Sequence, residues 1–115
     1  MDIIRKGSGT RMSMITIHNG TIYLAGQVAD DANATVSVQT QQVLNKIDSL
    51  LDSVGSNKSK ILSATIWITD TKTFEEMNAV WDSWVDREHR PVRACVGADL
   101  AVPGLSVEIM VTAAQ

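Results

Sequence analysis

The segment Lys60-Ile-Leu-Ser-Ala-Thr-Ile-Trp-Ile-Thr69 decides how this chain folds. It is a nearly continuous run of apolar and β-branched residues, the composition of a strand in the interior of a sheet. An amphipathic pattern flanks it on each side. Before it, Val36, Thr40, Val43, Leu44, Ile47, Leu50, Leu51 and Val54 recur at helical spacing, with Gln, Asn, Lys and Asp on the other side. Gly55-Ser-Asn-Lys58 stops that helix. After the strand, Thr73-Phe-Glu-Glu76 has the form of a capping box, in which the Thr hydroxyl and the Glu carboxylate satisfy each other's free N–H groups. It opens a second helix with Phe74, Met77, Trp81, Trp84 and Val85 on one face.

Further outward, both ends of the chain read as strands. Met14-Ile-Thr-Ile-His18 and Thr21-Ile-Tyr-Leu-Ala25 alternate around Asn19-Gly20, a strong hairpin signal because the tight primed turn needs φ > 0. Gly26-Gln27 ends the second strand, and Val28 to Thr35 reads as a polar loop. Past the charged segment Asp86-Arg-Glu-His-Arg90, Pro91-Val-Arg-Ala-Cys-Val96 and Ser106-Val-Glu-Ile109 alternate on a period of two. Arg93 and Cys95 share a face of the first. Glu108 stands with Ser106 and Met110 on the second, opposite Leu105, Val107, Ile109 and Val111. An antiparallel hairpin through Gly97 to Gly104 has a register that sets Arg93 across from Glu108 and Cys95 across from Ser106. A cation and a carboxylate would then flank one small space. The order is ββαβαββ, an α+β layer with two helices on one side of a mixed sheet. The apolar residues of the other face call for cover by further subunits.

Bulk properties narrow the function. The 115 residues make one domain, 1–115, with 44% apolar and 20% charged residues, ordinary values for a folded protein. A net charge of −3 gives no electrostatic reason to expect nucleic acid or an anionic membrane as partner. No apolar run reaches the roughly 20 residues of a membrane helix, and Met1-Asp-Ile-Ile-Arg-Lys-Gly7 lacks the apolar core of a secretory signal. The single cysteine fits a reducing, cytoplasmic setting.

Taken together, Gly26-Gln27, the helix Gln39-Thr-Gln-Gln-Val-Leu-Asn-Lys-Ile47, Asp70 to Asn78, Pro91-Val-Arg-Ala-Cys-Val96 and Val107-Glu-Ile109 resemble the RidA/YjgF family from about Ile15 to the C-terminus. Gly55 through Ser63-Ala-Thr65 and Trp81-Asp-Ser-Trp84 are most similar to its YoaB-like branch. The resemblance implies a chorismate-mutase-like fold and a homotrimer whose sheets face inward, with ligand sites in the clefts between subunits. It also implies hydrolysis of reactive 2-imino acids and their enamine tautomers to 2-oxo acids and ammonia, which protects against damage by these metabolites. Arg93 matches the arginine that grips the substrate carboxylate, for which a planar guanidinium suits two parallel charge-assisted hydrogen bonds. Glu108 matches the acid that places a water or shuttles a proton at the imine carbon. The backbone at Gly26 and Cys95 would line the pocket. Two positions depart from the family's best-known deaminases: Met12 stands where they have a tyrosine, and Ala25 where they have a serine before Gly-Gln. Losing one oriented donor costs on the order of 10²–10³ in rate where it acts in the transition state. These departures point to slow, narrow or absent imine hydrolysis, and to a non-catalytic binder of 2-oxo acids as the rival reading.

Each candidate also has a plainer reading. Arg93 and Glu108 form an ordinary cross-strand ion pair, worth under ~1 kcal/mol when exposed. Cys95 is a pocket-wall residue rather than a nucleophile, with no His or helix N-terminus beside it in the sequence to lower its pKa. His18 and His89 are solvated, and with one Cys and no paired His spacing a metal site has little support. Trp81 and Trp84 pack in the core. Tyr23 packs too, with the intersubunit cleft as the alternative. No cofactor is required, since a protonated imine is already electrophilic. A purely structural, chaperone-like trimer is the third reading.

Overall fold

A computed structural model describes residues 2–115. The elements are β1 (Ile4–Lys6), β2 (Ile15–His18), β3 (Thr21–Leu24), β4 (Gln27–Val28), α1 (Val36–Asp52), β5 (Ile61–Ile68), α2 (Phe74–Trp84), β6 (Val92–Gly97) and β7 (Val107–Ala114). The architecture is the expected α+β layer, a mixed sheet with both helices on one face. The β2–β3 hairpin turns on Asn19 (φ 52°) and Gly20 (φ 80°), the two positive φ values that a primed turn demands. β1 and β4 extend the anticipated pattern, and β4 claims Val28 from the segment read as loop.

The strand order β1-β2-β3-β7-β5-β6 corrects the C-terminal hairpin. β6 and β7 do not pair; β5 lies between them, parallel to β6 and antiparallel to β7. β5–α2–β6 is therefore a crossover unit, the route by which neighbouring strands become parallel. The chain then steps over β5 through residues 98–106 to insert β7 in the middle of the sheet. The expected pairs Arg93–Glu108 and Cys95–Ser106 do not form. Arg93 stands beside Ala64, Cys95 beside Ile66, and Glu108 beside Trp67 and Val28.

The core lies between sheet and helices. Ala64, Ile66 and Ile68 of β5 with Val107, Ile109, Val111 and Ala113 of β7 bury against Val43, Leu44, Ile47 and Leu51 of α1 and Met77 and Trp81 of α2. Each large aliphatic side chain so buried contributes roughly 1.5–3 kcal/mol. Gln39, expected on the solvent side of α1, is instead 1% exposed. Its Nε2 donates to the carbonyls of Ala34 (3.1 Å) and Gly104 (3.0 Å), and its Oε1 accepts from the Ser106 N–H (2.9 Å). It fastens α1 to the start of β7, supplying partners for backbone groups that burial would otherwise strand.

The capping box is also corrected. Thr73 makes no side-chain cap; its hydroxyl donates to the Asp70 carbonyl (2.6 Å) in a 3-10 turn that Asp70 opens by accepting from the Lys72 N–H (2.9 Å). Glu76 reaches the other helix, where its carboxylate accepts from the Ser37 N–H (2.9 Å) and hydroxyl (3.2 Å) at the positive end of α1. The sheet's second face carries exposed Tyr23, Val92, Val96 and Met110, with Val92 at 73% exposure, too much for an isolated edge residue of its type to gain from burial within one chain. Among the described residues, no helix is long and apolar enough to cross a membrane.

Candidate functional site

Register separates the two principal candidates. Arg93 pairs with Ala64, which pairs with Val111, so Arg93 projects on the helix face. Glu108 pairs with Trp67, which pairs with Val96, so it projects on the uncovered face. Within one chain they occupy opposite sides of the sheet.

On the helix face, at edge strand β6, the Arg93 guanidinium lies against α2. Its central carbon is 5.4 Å from the Trp81 ring centroid and 5.9 Å from that of Phe74, both cation–π range. The chain's ion pairs among the described residues are Lys46–Asp30 (2.7 Å) and His89–Asp86 (3.0 Å). Arg93 is in neither, so aromatic rings hold a half-buried cation that no carboxylate neutralises. Cys95 shares this face, half-buried. Burial pushes its thiol pKa up, with the Arg93 charge opposing in part. That is the profile of a packing thiol, not a ready thiolate.

On the uncovered face, the half-buried Glu108 carboxylate rests against Gly26. A Cβ at Gly26 would fall inside contact distance of Glu108 Oε2 and 3.2 Å from its Cδ. Glycine serves close approach here, since no positive φ is involved. Neighbouring backbone is tied down: the Ala25 N–H donates to the Met14 carbonyl (2.9 Å), and buried Gln27 donates from Nε2 to the Ala25 carbonyl (2.9 Å). Ala25, the residue before Gly26 in the chain, carries no hydroxyl.

The remaining predicted residues are not gathered in. Met12 is 53% exposed in the loop between β1 and β2, where its carbonyl accepts from the Gly9 N–H (2.8 Å). Tyr23 lies on the uncovered face, partly exposed, beside Thr16 and Thr112. Thr112 is four residues from Glu108 on β7, about 13 Å at the rise of a strand, so Tyr23 and Glu108 cannot serve the same ligand atom within one chain. His89 is exposed against Asp86, and among the described residues no group of three or more His, Cys, Asp or Glu is placed to hold a metal. Sequence reasoning missed the role of Phe74 and Trp81, whose helical spacing reads equally well as core. A hollow of about 500 Å³ lined by Gln27, Asp30, Gln42 and Lys46 lies apart from Arg93 and Glu108. Its polar groups already have partners: Lys46 binds Asp30 and the Val28 carbonyl, and Gln42 accepts two backbone N–H groups.

A helix-backed mixed sheet with a rim arginine on one face and a glycine-seated glutamate on the other defines a protein built like the YjgF proteins. The profile of the family described as Endoribonuclease L-PSP matches residues 8–115, and the chain belongs to this family, the RidA/YjgF family. The RutC family protein YoaB of Escherichia coli K12 is 44% identical over 114 residues, covering 99% of both chains. A RutC family protein of Haemophilus influenzae is 44% identical over 114 residues, covering 98% of each. Among solved structures, a YjgF family protein of Neisseria meningitidis is 43% identical with a TM-score of 0.96, over 100% of this chain and 96% of that one.

Proposed function

We propose that the protein hydrolyses 2-imino acids to 2-oxo acids and ammonia, in sites that two subunits build together. The observation that carries this reading is the placement of Arg93 and Glu108 on opposite faces. One copy laying its β6–α2 edge across the uncovered face of the next would bring its Arg93 toward that neighbour's Glu108 and Gly26. Such a contact joins two different surfaces, so it is heterologous and closes only as a ring. A homotrimer of 115-residue domains satisfies this and covers Val92, Val96 and Met110.

In this site Arg93 takes the substrate carboxylate through two N–H groups, as its missing acidic partner leaves it free to do. Water ordered by Glu108 adds through oxygen to the C=N carbon, and the C=N π electrons move to nitrogen. The two protons of the added water pass in turn to nitrogen by way of the Glu108 carboxylate, the first giving the carbinolamine and the second the ammonium leaving group. The C–N bond then breaks as the carbonyl forms, releasing ammonia and the 2-oxo acid. Nothing beyond water is consumed. The net charge of −3 gives little hold on a phosphate backbone, so an RNA-cleaving reading of the family description is not favoured for this chain.

Subunit mixing tests the proposal. Imines are generated in place by an L-amino acid oxidase, with semicarbazide as competing trap. Arg93→Ala and Glu108→Ala, each trimeric, should each be inactive. Dissociated and reassembled as an equimolar mixture, they should recover activity at about a quarter of interfaces, where one subunit lends its arginine and the next its glutamate. No recovery from two correctly assembled inactive variants would overturn the shared site.

A specific observation supports a second reading. Ala25, next in the chain to the Gly26 that seats Glu108, offers no hydroxyl to a bound water, and Met12 none from its loop. The same pocket would then serve as a 2-oxo acid sensor, binding without turnover. Arg93-dependent binding of 2-oxobutanoate with no effect on semicarbazone yield would select it.

A further inference from the structure

We infer that Trp67 and Glu108 together form a cation-receiving half-site, in which the indole face takes the positively charged nitrogen of the ligand. The assembled site then recognises a carboxylate and a cation held on neighbouring atoms. The inference rests on the proposed site shared between subunits and names the charge state of ligand that this site prefers.

Trp67 of β5 stands directly across from Glu108 of β7, and Val28 and Val96 continue the row on β4 and β6. Directly opposed residues of antiparallel strands share a face and hold their Cβ atoms about 5 Å apart. The indole and the carboxylate therefore rise side by side from the uncovered face. The carboxylate leans toward Gly26, just before β4, which leaves its other flank to β5 and the indole.

The three tryptophans differ in what they hold. Trp81 and Trp84 are buried on the helix face with ring centroids 5.4 Å apart. Each has a cation over its ring, Arg93 at 5.4 Å from Trp81 and Lys58 at 5.5 Å from Trp84. Trp67 is half-buried on the opposite face, and among the described residues no cation lies over it. Nor does any cation pair with Glu108 among them. A carboxylate and the negative face of a π system thus line one cleft, with Val28 and Val96 as apolar flanks. Both attract a cation, and an apolar surround strengthens both attractions.

In the proposed reaction the nitrogen is positive twice, in the protonated imine and in the ammonium leaving group. The 2-oxo acid has no charge at that position. The half-site therefore holds substrate and intermediate more tightly than product, which favours release of the 2-oxo acid. The same preference separates this site from a sensor of 2-oxo acids.

Calorimetry on the full-length protein with two non-reacting ligands tests the inference. L-2-Aminobutanoate carries an ammonium on the carbon beside its carboxylate, whereas 2-oxobutanoate has the same skeleton and no cation. Wild type should bind the amino acid about tenfold more tightly than the oxo acid. Trp67→Leu should lose about tenfold for L-2-aminobutanoate, while its affinity for 2-oxobutanoate changes by less than about twofold. Trp67→Phe keeps a weaker π face and should lose about threefold for the amino acid alone. Sedimentation checks that assembly is retained, because a half-exposed tryptophan also suits a subunit contact. Should Trp67→Leu not assemble, Trp67→Phe decides by the same ratio of affinities. Equal weakening of both ligands would make Trp67 a packing wall and overturn the inference alone, as would an unchanged preference in both variants. Unchanged binding of both ligands by Arg93→Ala overturns the shared site and this inference with it. A Trp67-dependent preference without imine hydrolysis upholds the inference and overturns only the catalytic reading.

Discussion

Replacing Gly26 with alanine is the sharpest probe of the glutamate half of the site, because it should damage chemistry and spare the fold. The added Cβ would sit inside contact distance of Glu108 Oε2, 3.2 Å from Cδ and 3.4 Å from Cγ. No positive φ opposes an alanine at this position. The conflict is with the far end of a half-buried side chain, which can swing toward the uncovered face. The carboxylate must move by about 1 Å, a displacement that can cost ~10²-fold in rate when it misplaces a catalytic group. That is about 2.7 kcal/mol in the barrier. Stability should change by less than ~1 kcal/mol, since stiffening of the unfolded chain by alanine offsets part of the local crowding. The decisive measurement is a double-mutant cycle on kcat/KM in the imine-trapping assay, with urea unfolding alongside. In a Glu108→Ala background there is no carboxylate to displace, so Gly26→Ala should cost less than about threefold. If the two substitutions instead multiply, Gly26 acts independently of Glu108 and the seating argument is refuted.

Three further outcomes follow from packing and electrostatics. Gln39→Leu removes acceptors and donors that serve Ala34, Gly104 and Ser106, and should lower stability by about 2–4 kcal/mol, read as a shift of the urea midpoint at constant m-value. Glu76→Ala leaves the first turn of α1 without its carboxylate and should cost about 1 kcal/mol in the same assay, whereas Thr73→Ala should have less effect because Thr73 caps nothing. Cys95 should alkylate with iodoacetamide more slowly at pH 8 than a free cysteine, since its thiol titrates above the ordinary value of 9.0. Arg93→Ala should slow it further by removing the charge that opposes the shift, and faster labelling in that variant would contradict the assignment.

The patterning of single elements was legible because it depends on local periodicity. Asn19-Gly20 dictates its turn by backbone sterics, the Lys60–Thr69 run dictates an interior strand by its apolarity, and alternation along 92–97 and 107–114 dictates which residues share a face. Partners were not legible, because period-two alternation fixes the face of a strand and says nothing about which strand lies beside it. The hairpin assigned to β6 and β7 was the nearest-neighbour choice. The missed signal was the helix between β5 and β6, since strands flanking a helical crossover tend to pair in parallel. Gln39 and Thr73 were misread for a related reason. Polar residues are sorted by the hydrogen bonds they find, and those partners at residues 104, 106 and 70 are supplied by the tertiary fold or by a local turn.

That single error of pairing changes what kind of site this is. Had β6 and β7 been neighbours, Arg93 and Glu108 would have shared one face, and each chain would have carried a complete ion pair with no unmet charge. With β5 interposed, the register sends the arginine to the helix side and the glutamate to the open side. Each is then a half-buried group whose own chain supplies no ionic partner. A charge kept partly desolvated without its counterpart is costly, and the chain relieves the arginine only with aromatic faces. In the proposed function, assembly would bring the two half-sites together around a carboxylate-bearing ligand. On the proposed reading, strand order assigns the site to the oligomer, and substitutions at the β6–α2 edge are to be tested for their effect on a neighbouring subunit.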